Sequence, residues 1–177
     1  MHLTITIPPA QLRDVLPSEQ ELAQAAGRGV SNIVKRQLVE RDRRGRSDGL
    51  PRTGYYGDAA SGVTTEVSGS RAVVTIHKEG VALHYYGGVV YPTDAKALAI
   101  PKSIQGAGKR PAEADPDHTK FALVWPKGKT TGTLRDKETD EVVYLLVPKA
   151  TIPEDKTILP TESEMESAGM AAMEAIL

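Results

Sequence analysis

The chain has 177 residues, 40% of them hydrophobic and 25% charged, with a formal net charge of -1 at neutral pH; this suits one soluble domain with appendages and excludes a molecule that attracts polyanions over its whole surface. Cysteine is absent, which removes disulfide scaffolds, cysteine-based zinc sites and thiol nucleophiles and fits a reducing compartment. No apolar run approaches the roughly 20 residues that cross a bilayer, and Met1 to Pro9 does not have the charge and hydropathy order of a secretory leader, so the expectation is a protein made and folded in the cytoplasm, with no membrane partner.

Leu3, Ile5 and Ile7 alternate with Thr4 and Thr6 and are stopped by Pro8-Pro9, the pattern of a short edge strand or arm. Ser18 with Glu21 forms a capping-box pattern. Behind it Leu22, Ala23, Ala26, Val30, Ile33, Val34 and Leu38 recur at helical spacing. A helix is expected to run to about Arg41, with Gly27 and Gly29 as weak points in its middle. A polar connector from Asp42 to Gly54 follows, then Asp58 as the N-cap of a second helix reaching about Glu66.

Arg71 to Lys78 reads as a strand with Ala72, Val74 and Ile76 on one face. Val81 to Gly88 is short and aromatic, and Val89 to Pro92 and Ala97 to Pro101 look extended. Residues 102–118 show no periodicity, and loops of that length are usually functional or disordered. Strands return at 120–125, 130–135 and 141–148, with Lys137 to Asp140 as the turn between the last two, together an antiparallel meander. After an extended connector with Pro153 and Pro160, Thr161 and Glu164 form a second capping box. It opens a helix whose stripe is Met165, Ala168, Gly169, Ala172, Met173 and Ile176.

The expected fold is therefore α+β: an antiparallel β-sheet with a long N-terminal helix and a C-terminal helix packed on one face. The expected organisation is a strand or arm over 1–17, a core α+β domain over 18–152 with the long loop 102–118, and a C-terminal connector and helix over 153–177.

The motifs of catalysis are weak. Gly106-Ala107-Gly108-Lys109 has neither the glycine spacing nor the following Ser/Thr of a phosphate loop, and Arg110-Pro111 come next. His2, His77, His84 and His118 have no metal-helix spacing. His77 reads as a strand's polar face and His84 as a buried, hydrogen-bonded histidine. No serine sits in a nucleophile elbow, and the carboxylates are scattered over helix starts and turns. The expectation is no enzyme, no catalytic or metal-binding residues and no cofactor.

Charge is more informative. Lys35, Arg36, Arg41, Arg43, Arg44, Arg46 and Arg52 outnumber Glu40, Asp42 and Asp48. Such an excess can contact phosphates, but with no interleaved aromatic residues the favoured reading is a solvated helix end complementing the helix dipole. The C-terminal region is acidic, with Glu154, Asp155, Glu162, Glu164, Glu166 and Glu174 against Lys156. Across a head-to-tail interface between copies, the two regions would attract. Alternatively the last helix docks on its own chain.

The run Gly80-Val81-Ala82-Leu83-His84-Tyr85-Tyr86-Gly87-Gly88-Val89-Val90-Tyr91-Pro92, continued by Lys96-Ala97-Leu98-Ala99-Ile100-Pro101, resembles a signature of phage virion morphogenesis (tail-completion) proteins. In that family an apolar residue, His, an aromatic and Gly-Gly precede an extended piece, a Pro and Lys-Ala-Leu-Ala-Ile-Pro. Tyr55 to Ala60, Glu141 to Val147 and Ile158 to Thr161 resemble further parts in the same order, so the likeness covers about residues 18–177. This chain has Tyr85-Tyr86 where broader relatives carry a Gln-Phe type of pair.

The resemblance implies a structural neck protein without catalytic residues, a tail terminator or head–tail joining subunit. It would form a homo-oligomeric, hexameric ring between a head connector and tail tube or sheath proteins, in the virion after assembly in the host cytoplasm. In such a ring Lys109, Arg110, Met165, Ala168, Ala172 and Met173 would contact neighbouring subunits or rings. Arg41, Arg43, Arg44 and Arg46 would face packaged DNA or an acidic partner. The alternatives are a DNA-binding protein using residues 35–52, or another connector subunit such as a stopper or adaptor.

Overall fold

The computed structural model of the chain describes residues 2–6, 17–44 and 53–177. The fold is mixed α+β, and its elements gather into two compact units.

The first unit is organised around one helix, α1 (Glu19–Arg44). Its start is the expected capping box: the Ser18 hydroxyl accepts the Glu21 N–H at 3.3 Å, and the Glu21 carboxylate accepts the Ser18 N–H at 2.8 Å. The unit also holds a three-stranded antiparallel sheet of β1 (His2–Thr6), β2 (Val63–Ser68) and β3 (Arg71–Ile76), with β3 in the middle. β1 is thus an edge strand; Ile7 and the Pro8-Pro9 stop lie outside the described residues. Along β3, Ala72, Val74 and Ile76 alternate inward as the sequence predicts. Val74 and Ile76 pack with Val30, Val34 and Leu38 of α1 in a core that also includes Val63, Val81, Ile158 and Leu159. Burying each such aliphatic side chain contributes roughly 1.5–3 kcal/mol.

The last helix, α5 (Glu162–Glu174), starts at its own capping box. The Thr161 hydroxyl accepts from the Glu164 N–H at 3.3 Å, and the Glu164 carboxylate accepts from the Thr161 N–H at 2.8 Å. It packs on α1, and α1 in turn lies on β2 and β3.

Gly27 and Gly29 do not break α1, because they are where its neighbours come closest. A Cβ on Gly27 would lie 2.7 Å from Thr65 Cγ2 and 2.9 Å from Ala72 Cβ, both on the sheet. A Cβ on Gly29 would collide with the Ala168 carbonyl oxygen and lie 2.9 Å from Ala172 Cβ, both on α5. Two residues apart means about 200° apart around a helix. One glycine therefore admits the sheet and the other admits α5 on nearly the opposite side. This also explains why Ala25, Gly27 and Ser31 are buried beyond the single expected stripe.

Between these elements the second predicted helix is corrected. The helix α2 is Tyr55–Ser61, with Asp58 inside its first turn rather than at its cap, and Gly62 ends it. Residues Val63 to Ser68, expected to continue the helix, are β2. Their β-branched Val63, Thr64, Thr65 and Val67 pair with β3, where such side chains fit better than in a helix. The aromatic stretch becomes a short helix, α3 (Val81–Tyr86). A 3-10 turn at Lys156–Ile158 completes the unit.

The second unit is all antiparallel apart from one short helix. The strands β6 (Phe121–Val124), β7 (Gly132–Asp136) and β8 (Val142–Val147) form the expected meander, and β5 (Leu98–Pro101) pairs with the far side of β8. β4 (Gly88–Val90) and β9 (Ala150–Ile152) form a separate pair. Among the described residues the strands of both units together are therefore divided among three sheets rather than one. The Lys137 to Asp140 turn is held by the Asp136 carboxylate, which accepts from the N–H groups of Glu138 and Thr139 at 2.9 and 3.0 Å. A small core of Phe121, Val143 and Tyr144 lies on this sheet. Within 102–118 the chain makes turns and the four-residue helix α4 (Pro111–Ala114).

The two glycines give a test with opposing terms. Alanine gains about 1 kcal/mol of helix propensity over glycine, while overpacking costs about 1–3 kcal/mol. Gly29→Ala should destabilise the protein more than Gly27→Ala in denaturant titrations, because it meets a backbone carbonyl rather than side-chain methyls. Equal or improved stability of Gly29→Ala would contradict the clamped helix.

Candidate interaction site

His84 belongs to a cluster that joins distant parts of the first unit. His84 Nδ1 is hydrogen-bonded to the Tyr56 hydroxyl at 3.2 Å. The rings of Tyr55 and Tyr56 meet edge to face with centroids 5.1 Å apart, and His84 lies 5.5 Å from Tyr55. The His84 carbonyl accepts the Asp155 N–H at 3.0 Å. The Asp155 carboxylate forms an ion pair with Arg41 of α1 and accepts from the Thr157 hydroxyl and N–H at 2.6 and 3.0 Å. Gln37 of α1 adds a bond from its amide to the Thr157 carbonyl at 2.8 Å. The ammonium of Lys156 sits 4.2 and 4.3 Å from the ring centroids of Tyr85 and Tyr86, a cation–π contact.

The electrostatics follow from this packing. Burial pushes the His84 imidazole below its ordinary range and the Arg41 guanidinium pushes it further, with Asp155 opposing. Burial raises the Tyr56 phenol, partly offset by Arg41. The Thr157 hydroxyl, above all, and then its N–H and Arg41 hold the Asp155 carboxyl low. The result is a neutral histidine, a neutral phenol and a satisfied ion pair, a set of groups bonded to one another that braces α1, α2, α3 and the turn before α5.

The predicted contact residues have separate fates. Arg41 is half-buried and paired with Asp155, and Arg44 bridges to Glu40 at 3.1 Å within α1. Arg43 is exposed, and Arg46 lies outside the described residues. Ala168 and Ala172 lie against Gly29 of the same chain, Met165 packs on the first unit's core and Met173 is half-buried. The predicted stripe of α5 therefore serves the fold of its own chain, docking on α1. Lys109 and Arg110 are exposed. The Lys109 carbonyl accepts the Tyr144 hydroxyl at 3.2 Å, and the Arg110 N–H donates to the Glu113 carboxylate at 2.9 Å, so their backbone is anchored while their charged ends point outward. Among the described residues, no group of His, Asp and Glu is placed to hold a metal ion, and no helix is long and apolar enough to cross a membrane.

One surface was not singled out from the sequence. At the edge of the four-stranded sheet, Leu123 and Trp125, two residues apart and so on one side, are 62% and 42% exposed, and Val124 between them, turned to the other side, is 41% exposed, apolar surface where most edge strands carry protection. Trp125 is held in place. Its indole N–H donates to the Lys129 carbonyl at 2.9 Å, and its ring lies so close to Gly132 that a Cβ there would be 2.9 Å from Trp125 Cδ2. Below the strand the buried Asp115 carboxylate accepts the N–H groups of Thr119, Lys120 and Phe121, at 2.9 Å for Thr119 and Phe121. Burial would raise this carboxyl, but the three donors outweigh it and hold it low. Lys120, Lys127 and Lys129 flank this run in the chain and are all exposed. The signal available in the sequence was the run Leu123-Val124-Trp125 followed at once by Pro126-Lys127-Gly128-Lys129.

Comparisons with protein-family models, with curated proteins and with solved structures give no match to this chain.

The His84 cluster predicts a pH dependence. Because folding lowers the His84 pKa, the unfolded chain binds more protons near its ordinary value of 6.5. Stability contributed by the neutral ring is complete above that value and is lost as pH falls toward the folded value. Unfolding midpoints should decrease from pH 7.0 to 5.5, and His84→Gln should flatten that slope. An unchanged slope in the variant would show that His84 does not titrate with folding.

Proposed function

We propose that this protein is a structural subunit of a bacteriophage neck, a tail terminator or tail-completion protein forming a ring that joins the tail to the head connector. The observation that carries the reading is the ordered likeness of residues 80–101 to the phage virion morphogenesis signature. The packing of His84 lends support: a side chain hydrogen-bonded to Tyr56 and packed against the Tyr55 ring, beside the Arg41–Asp155 pair, suits a brace better than a proton shuttle. On this reading the protein has no catalytic step. Its partners are copies of itself in a hexameric ring, the head connector and the tail tube or sheath. It works in the virion after assembly in the host cytoplasm.

The basic segment supports a DNA-binding role less well. Two of its arginines, Arg41 and Arg44, are paired with Asp155 and Glu40, which reduces the charge left for phosphates.

Deleting the gene from the phage that encodes the chain should yield DNA-filled heads and separate tails, with few joined particles in electron micrographs. Normal numbers of complete, infectious particles would overturn the proposal.

A further inference from the structure

We infer that the edge-strand surface of Leu123 and Trp125 docks on the outward face of α5 of a second copy of this chain, in a head-to-tail contact. This rests on the ring reading above and names the surfaces that would build the ring.

The two surfaces match in polarity and in charge. Residues 118–131 contain Lys120, Lys127 and Lys129 and no Asp or Glu. α5 contains Glu162, Glu164, Glu166 and Glu174 and no Lys or Arg. With its small-residue face against α1, the helix turns Glu162, Glu166, Met170 and Glu174 outward at intervals of four, which places them on one stripe. Met170 is 54% exposed at the centre of that stripe. Glu164 is engaged in the capping box, with Arg36 of α1 acting on it, and is not needed for the contact. An apolar centre with a basic rim thus faces an apolar centre with an acidic rim, the layout of a protein–protein contact. Trp125, pinned by Lys129 and Gly132, enters it without losing side-chain freedom, as an anchoring residue does.

Charge also selects the geometry. Two patches facing each other would bring lysines together, and two α5 helices would bring glutamates together. Both two-fold arrangements are therefore repelled. The attractive pairing is patch to helix, a heterologous contact that leaves one patch and one helix free on every pair. Repeated, it closes into a ring or extends as a filament. This replaces the α1 end, whose Arg41 and Arg44 are already paired, as the basic partner of the acidic C-terminal region.

The test uses the full-length chain and two charge-reversed variants, Lys127→Glu/Lys129→Glu and Glu166→Lys/Glu174→Lys. All four sites are exposed, and circular dichroism checks that each variant folds. In sedimentation velocity at rising concentration each variant alone should self-associate about tenfold more weakly than the natural chain. An equimolar mixture should recover the association, because each reversed surface then meets its complement on the other variant. If the natural chain assembles and neither variant weakens it, the inference fails while the ring reading stands. If the natural chain stays monomeric at all concentrations, both fail. If Lys127→Glu/Lys129→Glu abolishes retention on duplex DNA but leaves self-association unchanged, the patch belongs to nucleic acid and the inference is overturned.

Discussion

The close approach of two neighbours to opposite sides of α1 is the constraint on which the first unit depends. Gly27 lets the sheet reach the helix backbone, and Gly29 does the same for α5. Neither position has room for a Cβ without displacing a neighbour. The helix gives up about 1 kcal/mol of propensity at each glycine and gains burial on two faces instead of one. Everything near the C-terminus follows from that arrangement. Once Ala168 and Ala172 lie against Gly29, the orientation of α5 is fixed, and the stripe of Glu162, Glu166, Met170 and Glu174 is left facing outward.

The His84 cluster secures the other end of the same helix. Arg41 and Asp155 are 114 residues apart in the chain, and their ion pair ties the last turns of α1 to the segment that leads into α5. Asp155 also holds the 3-10 turn through Thr157, and its N–H meets the His84 carbonyl. A half-buried pair of this kind costs most when one partner is removed, since the other is left partly desolvated. The basic end of α1 is in this way drawn into the architecture of the first unit.

Much of the local structure was legible in the sequence, because it depends on neighbours in the chain. Ser18 with Glu21 and Thr161 with Glu164 marked both long helices, the alternation of Ala72, Val74 and Ile76 marked β3, and Lys137 to Asp140 marked a turn. The failures depend on distant partners. Val63 to Ser68 forms a strand because β3 is there to pair with it, and Gly27 and Gly29 look like weak points until the sheet and α5 are in place. The division of the strands among three sheets likewise depends on pairings that periodicity does not encode. For the candidate surfaces, sequence identified the acidity of α5 but pointed to its small-residue stripe, which packs on α1. The apolar patch at Leu123 to Trp125 resembled an ordinary strand, since nothing in those residues says that their strand lies at an edge.

The proposed neck function gives the protein one place in a particle. Antibody labelling of intact virions, viewed by electron microscopy, tests it most directly. The account predicts label confined to the junction between head and tail, and tails detached from heads should carry it at one end. Label spread along the tail or over the capsid, or particles with none, would contradict it.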